Sequence, residues 1–155
     1  MEVEIRKAML KDLKHIQDLN HRLCKKEHDE FDDTINSDWP FKNGEEYFKE
    51  RIENGCALIA VINDKHVGYL VGGIVSVEYY RKVKIVAELE NMFVDDRFRN
   101  MKIGTKLCEK FSEWCKNNKV SRIKTVVSAG NVKGQNFYRK SGFKDYSISF
   151  EKEID

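Results

Sequence analysis

The sequence predicts an α/β domain built around a central mixed sheet, with elements in the order β-α-α-β-β-β-α-β-α-β. Three observations predict it. Apolar residues switch several times between strand and helix spacing, no repeat or linker interrupts them, and 155 residues are enough for one core but not two. One domain over residues 1–155 is therefore expected.

Val3 and Ile5 alternate with charged neighbours as a short first strand. Leu10, Leu13, Ile16, Leu19 and Leu23 then recur at helical spacing, which predicts a helix from Leu10 to Lys26. Asp29 to Asn43 carries turn formers and Trp39-Pro40 without a period, and reads as a long ordered loop. A second short helix is expected from Glu45 to Glu53, stopped by Asn54-Gly55. Cys56 to Ile62 and Val67 to Val77, joined through Asn63-Asp64-Lys65, read as a hairpin of two strongly apolar strands. Lys84 to Val94 is the next strand. Ile103, Leu107, Phe111 and Trp114 form the stripe of a helix running to Asn117. Arg122 to Val127 returns to strand character, Asn131 to Lys140 is a short helix stopped by Ser141-Gly142, and Phe143 to Glu151 closes as a strand with alternating Tyr146, Ile148 and Phe150.

Composition narrows the function classes. With 41% hydrophobic residues and a single proline, the chain has enough apolar material to fold and too little proline for a low-complexity tail. The longest mostly apolar run, Val67 to Val77, is about half the roughly 20 residues a membrane-spanning helix needs. The charged start Met1-Glu2-Val3-Glu4-Ile5-Arg6 lacks a signal peptide's apolar segment, so a cytoplasmic protein is expected. Cys24, Cys56, Cys108 and Cys115 form no C-x-x-C pair and no metal-ligand spacing with the four histidines. Buried reduced thiols and no metal are the expectation.

Charge is split along the chain. Residues 97–144 hold thirteen Lys or Arg against Glu109 and Glu113, a local charge of +11, which leaves −9 on the rest of a chain whose net charge is +2. Glu27 to Asp38 holds six carboxylates and no Lys or Arg. A polyanion suits one region and a cation the other, although both also read as solvated faces.

The most informative stretch runs from Glu88-Leu89-Glu90-Asn91-Met92-Phe93-Val94 through Asp95-Asp96-Arg97-Phe98-Arg99-Asn100-Met101-Lys102-Ile103-Gly104-Thr105. A strand empties into a basic turn that opens a long helix. Unpaired amides and the dipole at such a helix start attract phosphate, and Arg97, Arg99, Lys102 and Lys106 add fixed charge. Gly104 permits close approach of a ligand to the backbone.

Two motifs make the chain resemble the GCN5-related N-acetyltransferase (GNAT) superfamily. The family's [R/Q]-x-x-G-x-[G/A] pattern stands here as Arg99-Asn100-Met101-Lys102-Ile103-Gly104, with Lys102 in place of the first glycine. Its later motif is matched by Asn131, Gly134, Phe137, Tyr138, Lys140, Gly142 and Phe143, and the order of elements agrees over nearly the whole chain. If the turn keeps an ordinary helical backbone at Lys102, its amides still face a pyrophosphate.

The resemblance implies a GNAT fold that binds acetyl-coenzyme A through Met92, Phe93, Val94, Arg99, Met101, Lys102, Gly104 and Thr105, with Asn131, Tyr138 and Lys140 contributing. It places a bulge of the fourth strand near Met92 to Val94, freeing an amide for the thioester oxygen and splaying the fourth and fifth strands. An alkyl amine with a pKa of about 10.4 must lose a proton before it attacks. Glu90 matches the family's base, with Glu88 on the same strand face as the alternative. Tyr138 matches the acid that protonates the leaving thiolate. With no G-x-S-x-G motif, direct attack by the amine in a ternary complex is expected rather than an acetyl-enzyme. The implied acceptor is a small-molecule or peptide amine, cationic if the acidic segment borders it. A catalytically silent acyl-coenzyme A sensor is the alternative. The basic half overlaps the cofactor motifs and lacks a nucleic-acid motif, so neither nucleic acid nor membrane is an expected partner, while a homodimer is compatible with the resemblance.

Overall fold

The computed structural model describes residues 2–155. Its elements are β1 (Glu4–Lys7), α1 (Leu13–Glu30), α2 (Gly44–Asn54), β2 (Cys56–Ile62), β3 (Lys65–Val75), β4 (Val86–Val94), α3 (Ile103–Asn117), β5 (Arg122–Lys124) and α4 (Val132–Lys140). The strands form one sheet in the order β1-β2-β3-β4-β5. The first four pair antiparallel and β5 joins β4 in parallel, so the sheet is mixed, as the sequence predicts.

Helices cover both faces, which explains why β2 and β3 read as continuous apolar runs instead of alternating ones. Leu58, Ala60, Ile62, Leu70, Ala87 and Leu89 pack against Ile103, Leu107, Phe111 and Cys115 of α3. Ala57, Ile59, Tyr69 and Val71 point the other way, onto Ile16 and Leu19 of α1 and Phe48 and Ile52 of α2. The hairpin between β2 and β3 turns on Asn63 and Asp64 alone, both at positive φ (49° and 63°), a conformation their short polar side chains tolerate. All four cysteines are unpaired; Cys56, Cys108 and Cys115 are buried and Cys24 is partly so.

Several boundaries differ from the sequence reading. Leu10–Asp12 is a single 3-10 turn ahead of α1, because the Asp12 carboxylate accepts from the Met9 amide (2.8 Å) and from both terminal nitrogens of Arg6 (2.8 and 2.9 Å). The helix continues past Lys26 to Glu30, so part of the acidic segment is helical. In the remaining loop Trp39 packs against Tyr47 and Phe48.

The fifth strand stops at Lys124 instead of Val127, since the Thr125 hydroxyl, not a backbone amide, donates to the Leu89 carbonyl (2.9 Å). The closing strand expected from Phe143 to Glu151 does not form. The Phe143 amide makes the segment's last backbone hydrogen bond, to the Tyr138 carbonyl (3.0 Å). Beyond it the chain is solvent-exposed, with Tyr146 at 69%, Ile148 at 82% and Phe150 at 89%. A strand pattern without a partner edge makes no ladder. Among the described residues no helix is long and apolar enough to cross a membrane, and no three metal-ligating side chains converge.

Candidate active site

The sheet opens at β4. Its parallel pairing with β5 ends at Glu88 opposite Lys124, and beyond that point its β5-facing edge has no strand beside it. On the other edge Gly72 pairs with Leu89 and Val71 with Asn91, which leaves Glu90 as the extra residue of a bulge. The bulge is thus two residues earlier than the Met92–Val94 position implied by the resemblance. The close backbone approach there requires glycine: a Cβ on Gly72 would stand 2.3 Å from the Glu88 carbonyl oxygen and 2.9 Å from the Phe111 ring.

Strand alternation puts Glu88 and Glu90 on the face opposite Ala87 and Leu89, as expected, and the bulge turns the next residue, Asn91, to that face as well. A polar network follows. Glu90 Oε1 accepts from Arg51 Nε (2.6 Å) and the Tyr47 hydroxyl (2.9 Å), and Oε2 from Arg51 Nη2 (3.0 Å). Asn91 donates to the Tyr47 hydroxyl (3.0 Å) and accepts from the Tyr69 hydroxyl (2.6 Å), which in turn accepts from Asn20 (2.7 Å). Hydrogen bonding to Glu90 raises the proton affinity of Arg51, and burial raises that of both tyrosines, so the guanidinium stays charged and the phenols neutral. Glu88 is less constrained, its Oε1 lying 3.7 Å from Lys124 Nζ.

Glu27 joins this side from α1, one turn beyond Cys24 and two beyond Asn20. Burial raises its proton affinity, and the charge of Asp32 adds to the effect. Asn20, Tyr47, Arg51 and Tyr69 are not singled out by the sequence, and Glu27 only as one of the six carboxylates of the acidic segment. Their sequence signal is slight: polar groups on helix faces, and a tyrosine within an apolar strand, whose neighbours are core.

Tyr138 stands across the opening on α4. Its ring packs edge-on against Phe137 and Phe143 (5.2 and 5.4 Å between centroids) and borders the apolar cluster that Met92 and Val94 also border. Burial pushes its hydroxyl up, so it remains a proton donor at neutral pH. Phe93 points to the other face, under the Arg22 guanidinium at 5.0 Å.

At the end of β4 the chain enters the basic turn. Asp95, only 2% exposed, accepts from the Arg97 amide (3.0 Å), from Arg97 Nη2 (2.7 Å) and from Arg22 Nη1 (3.2 Å), which holds its carboxyl well below the usual range. Arg99 pairs with Asp96 at 2.9 Å. Lys102 and Lys106 form no ion pair among the described residues. Lys102 does not take an ordinary helical backbone: φ is 54° and ψ 34°, the left-handed conformation that glycine adopts most readily. No side chain caps the first turn of α3, so its amides are open to a ligand.

Other expected cofactor residues also make structural contacts. The missing Cβ of Gly104 faces α4, where it would stand 3.3 Å from Phe137, so glycine here lets α3 and α4 pack closely. Asn131 accepts from the Gly134 amide (2.9 Å) as the cap of α4. Thr105 and Lys140 line a cavity of 580 Å³ between α3 and α4, with Leu89, Phe111, Ile123 and Phe137. Met101 packs against the α3 side of the core.

Known proteins share this fold. The chain is 29% identical over 110 residues to an uncharacterized N-acetyltransferase of Methanocaldococcus jannaschii, MJ1207, a match covering 71% of this chain and 46% of the relative. The chain thus spans about half the length of that curated relative. A mutant of the BH1408 protein from Bacillus halodurans has the same fold, with a TM-score of 0.84 at 21% identity over 97% of this chain and 99% of that one. PaiA N-acetyltransferase from Thermoplasma acidophilum, solved in complex with coenzyme A, gives 0.79 at 22% identity over 96% and 94%. The aminoglycoside N-acetyltransferase AAC(6')-Iy, in complex with a bisubstrate analogue, CoA-S-monomethyl-acetylneamine, gives 0.76 at 18% identity over 99% and 100%. The model of the acetyltransferase (GNAT) family matches residues 16–143, from α1 to the end of the second motif: the chain belongs to that family.

Proposed function

We propose that the protein is an N-acetyltransferase that moves the acetyl group of acetyl-coenzyme A to a primary amine by direct attack in a ternary complex. The observation that carries this reading is the release of β4 from β5 beside the Glu90 bulge, with an uncapped basic helix start at one end and Tyr138 across the gap. The pantetheine arm enters this gap and its pyrophosphate meets the amides of α3, with Lys102 and Lys106 as countercharges. An amide on the open edge of β4 receives the thioester oxygen as negative charge develops. The amine attacks the carbonyl carbon, the C–S bond breaks, and Tyr138 donates its proton to the departing thiolate.

Glu90 takes a proton from the bound substrate ammonium through a water, which frees the amine that attacks, with Glu88 beside it. Arg51 and Tyr47 fix its geometry while Oε2 retains an acceptor position for that water. A second reading assigns the base to Glu27, favoured by the raised proton affinity its burial produces. Thiol release followed against pH separates the two, because Gln at the base removes the acid limb of the kcat/KM profile and Gln at the other position does not.

The acceptor carries positive charge. The acidic end of α1 and the following loop support this, as does the aminoglycoside named in the AAC(6')-Iy relative. Asp32 accepts from the Thr34 amide (3.0 Å) and hydroxyl (2.6 Å), bonds that favour its ionised form, so it adds its charge to those of Asp29, Glu30 and Asp33. Thiol release across small polyamines, aminoglycosides, basic peptides and neutral amines tests the assignment. Higher specificity constants for neutral amines overturn the acceptor class, whereas coenzyme A binding without turnover for any amine revives the silent sensor.

A further inference from the structure

The hydrogen bonds around Asn91 form one line, and the line has a direction. It starts on α1, where the Cys24 thiol donates to Asn20 Oδ1 (3.4 Å). Asn20 Nδ2 donates to the Tyr69 hydroxyl (2.7 Å) and that hydroxyl to Asn91 Oδ1 (2.6 Å). Asn91 Nδ2 then donates to the Tyr47 hydroxyl (3.0 Å), which donates to Glu90 Oε1 (2.9 Å). Donors from α1, β3, β4 and α2 thus follow one another head to tail, each with its proton toward the carboxylate.

A single charge sets that direction. An ionised carboxylate only accepts, so Tyr47 gives its one proton to Glu90 and keeps only lone pairs for its other neighbour. Asn91 therefore turns its amino group to Tyr47 and its oxygen to Tyr69, which obliges Tyr69 to donate. The same step repeats at Asn20, whose oxygen is left for the thiol. A reversed link would set two donors or two acceptors against each other in the core, where Asn20 is 3% and Tyr69 0% exposed. Among the described residues no buried side-chain nitrogen or oxygen lacks a partner. Burial keeps both phenols and the Cys24 thiol protonated, as donors must be.

Bonds aligned in this way polarise one another, so the last donor is stronger for the others behind it. We infer that Asn20 and Tyr69 are positioning residues for acetyl transfer: through Asn91 they hold the Tyr47 hydroxyl on Glu90 and strengthen its bond to the carboxylate, a role that rests on Glu90 being the base. Neither residue bonds Glu90 itself. The charged groups on this side are Arg51 of α2, which also pairs with Glu50 (2.9 Å), Glu88 of β4 with Lys124 of β5 (3.7 Å), and Glu27 and Asp32 beyond Cys24. Removing one hydroxyl from the line alters none of them.

Thiol release against pH is the test, on the wild type, on Tyr69→Phe and, as reference, on Glu90→Gln. Phenylalanine keeps the ring, but Asn91 loses the donor that orients it and Tyr47 bonds Glu90 less strongly. The acid limb of the kcat/KM profile is expected to move about half a unit to higher pH, because a carboxylate with weaker hydrogen bonds holds its proton more tightly. Turnover should fall about 3- to 10-fold as the Oε1 anchor loosens, with KM for the amine within twofold. A hydroxyl that served stability alone would lower the unfolding midpoint and leave the limb in place. An unmoved limb in Tyr69→Phe, where Glu90→Gln abolishes it, overturns the inference and spares the base; a limb that survives Glu90→Gln overturns both. If Tyr69→Phe does not fold, Asn20→Ser is read by the same criterion, since it takes the amide donor from Tyr69 and keeps every ring of the core.

Discussion

The two halves of β4 make different use of the same strand. From Val86 to Glu88 it pairs on both edges, and Val86, Ala87 and the adjoining Leu89 are buried. From Glu90 to Val94 it pairs on one edge only, and its residues are half-buried. One inserted residue separates the regimes. The first half is paired for stability, while the second gives up a neighbour and gains an open edge that a ligand can occupy. The difference teaches that the bulge and the end of the β5 pairing act together: a bulge in a strand still paired on both sides would turn Asn91 without exposing any amide.

The largest effect belongs to the first half. Leu89→Ala removes a buried side chain between β4 and α3 and is expected to cost about 2–5 kcal/mol, read as a lower denaturant midpoint. A loss below half a kcal/mol would show that this half is not the rigid base the comparison requires.

Just past the second half, Asp95→Asn is expected to cost about 1 kcal/mol, because it takes away the carboxylate that Arg22 and Arg97 share while both guanidinium groups stay in reach of water. The pH dependence carries a definite sign. The folded-state pKa of Asp95 is depressed, so its contribution is present above the unfolded value of about 3.9 and is lost as pH falls below it. Acid titrations of stability should therefore be flatter in the variant than in the wild type.

Tyr138→Phe keeps the ring packing and removes the donor. Turnover should fall about 10- to 100-fold with coenzyme A affinity within twofold, the low end for a general acid because a thiolate leaves readily. Unchanged turnover would remove the tyrosine from the mechanism.

The smallest expected effect has two opposing parts. Lys102→Gly relieves a left-handed backbone and should stabilise by about 1 kcal/mol, since relief of strain outweighs the looser unfolded chain, yet it deletes an unpaired cation and should weaken coenzyme A binding at low salt. Thermal unfolding and calorimetric titration on the same sample read both; a destabilised variant would mean that the lysine side chain, not its backbone, holds the turn.

Element order, both core stripes and the pairing of Glu88 with Glu90 on one face were legible because periodicity reports burial directly. The boundary of α1 was not, since Asp12 sets it through contacts with Arg6 and the Met9 amide. The network around Asn91 was hidden for a related reason: Asn20, Tyr47, Arg51 and Tyr69 come from three other elements, and only the bulge brings Asn91 to their face. Alternation did mark Tyr146, Ile148 and Phe150 as strand-like, but a pattern says that a strand wants a partner and not that one is within reach.

The buried thiols carry a practical consequence for kinetics. Burial pushes Cys56 up to about 12 and Cys24, Cys108 and Cys115 to about 11, so very little thiolate exists on the folded protein at neutral pH. A colorimetric disulfide reagent added to a reaction will therefore consume released coenzyme A long before it consumes the enzyme. Denaturing the same sample exposes four ordinary cysteines per chain, so one reagent counts turnover on the native protein and unfolding on the denatured one.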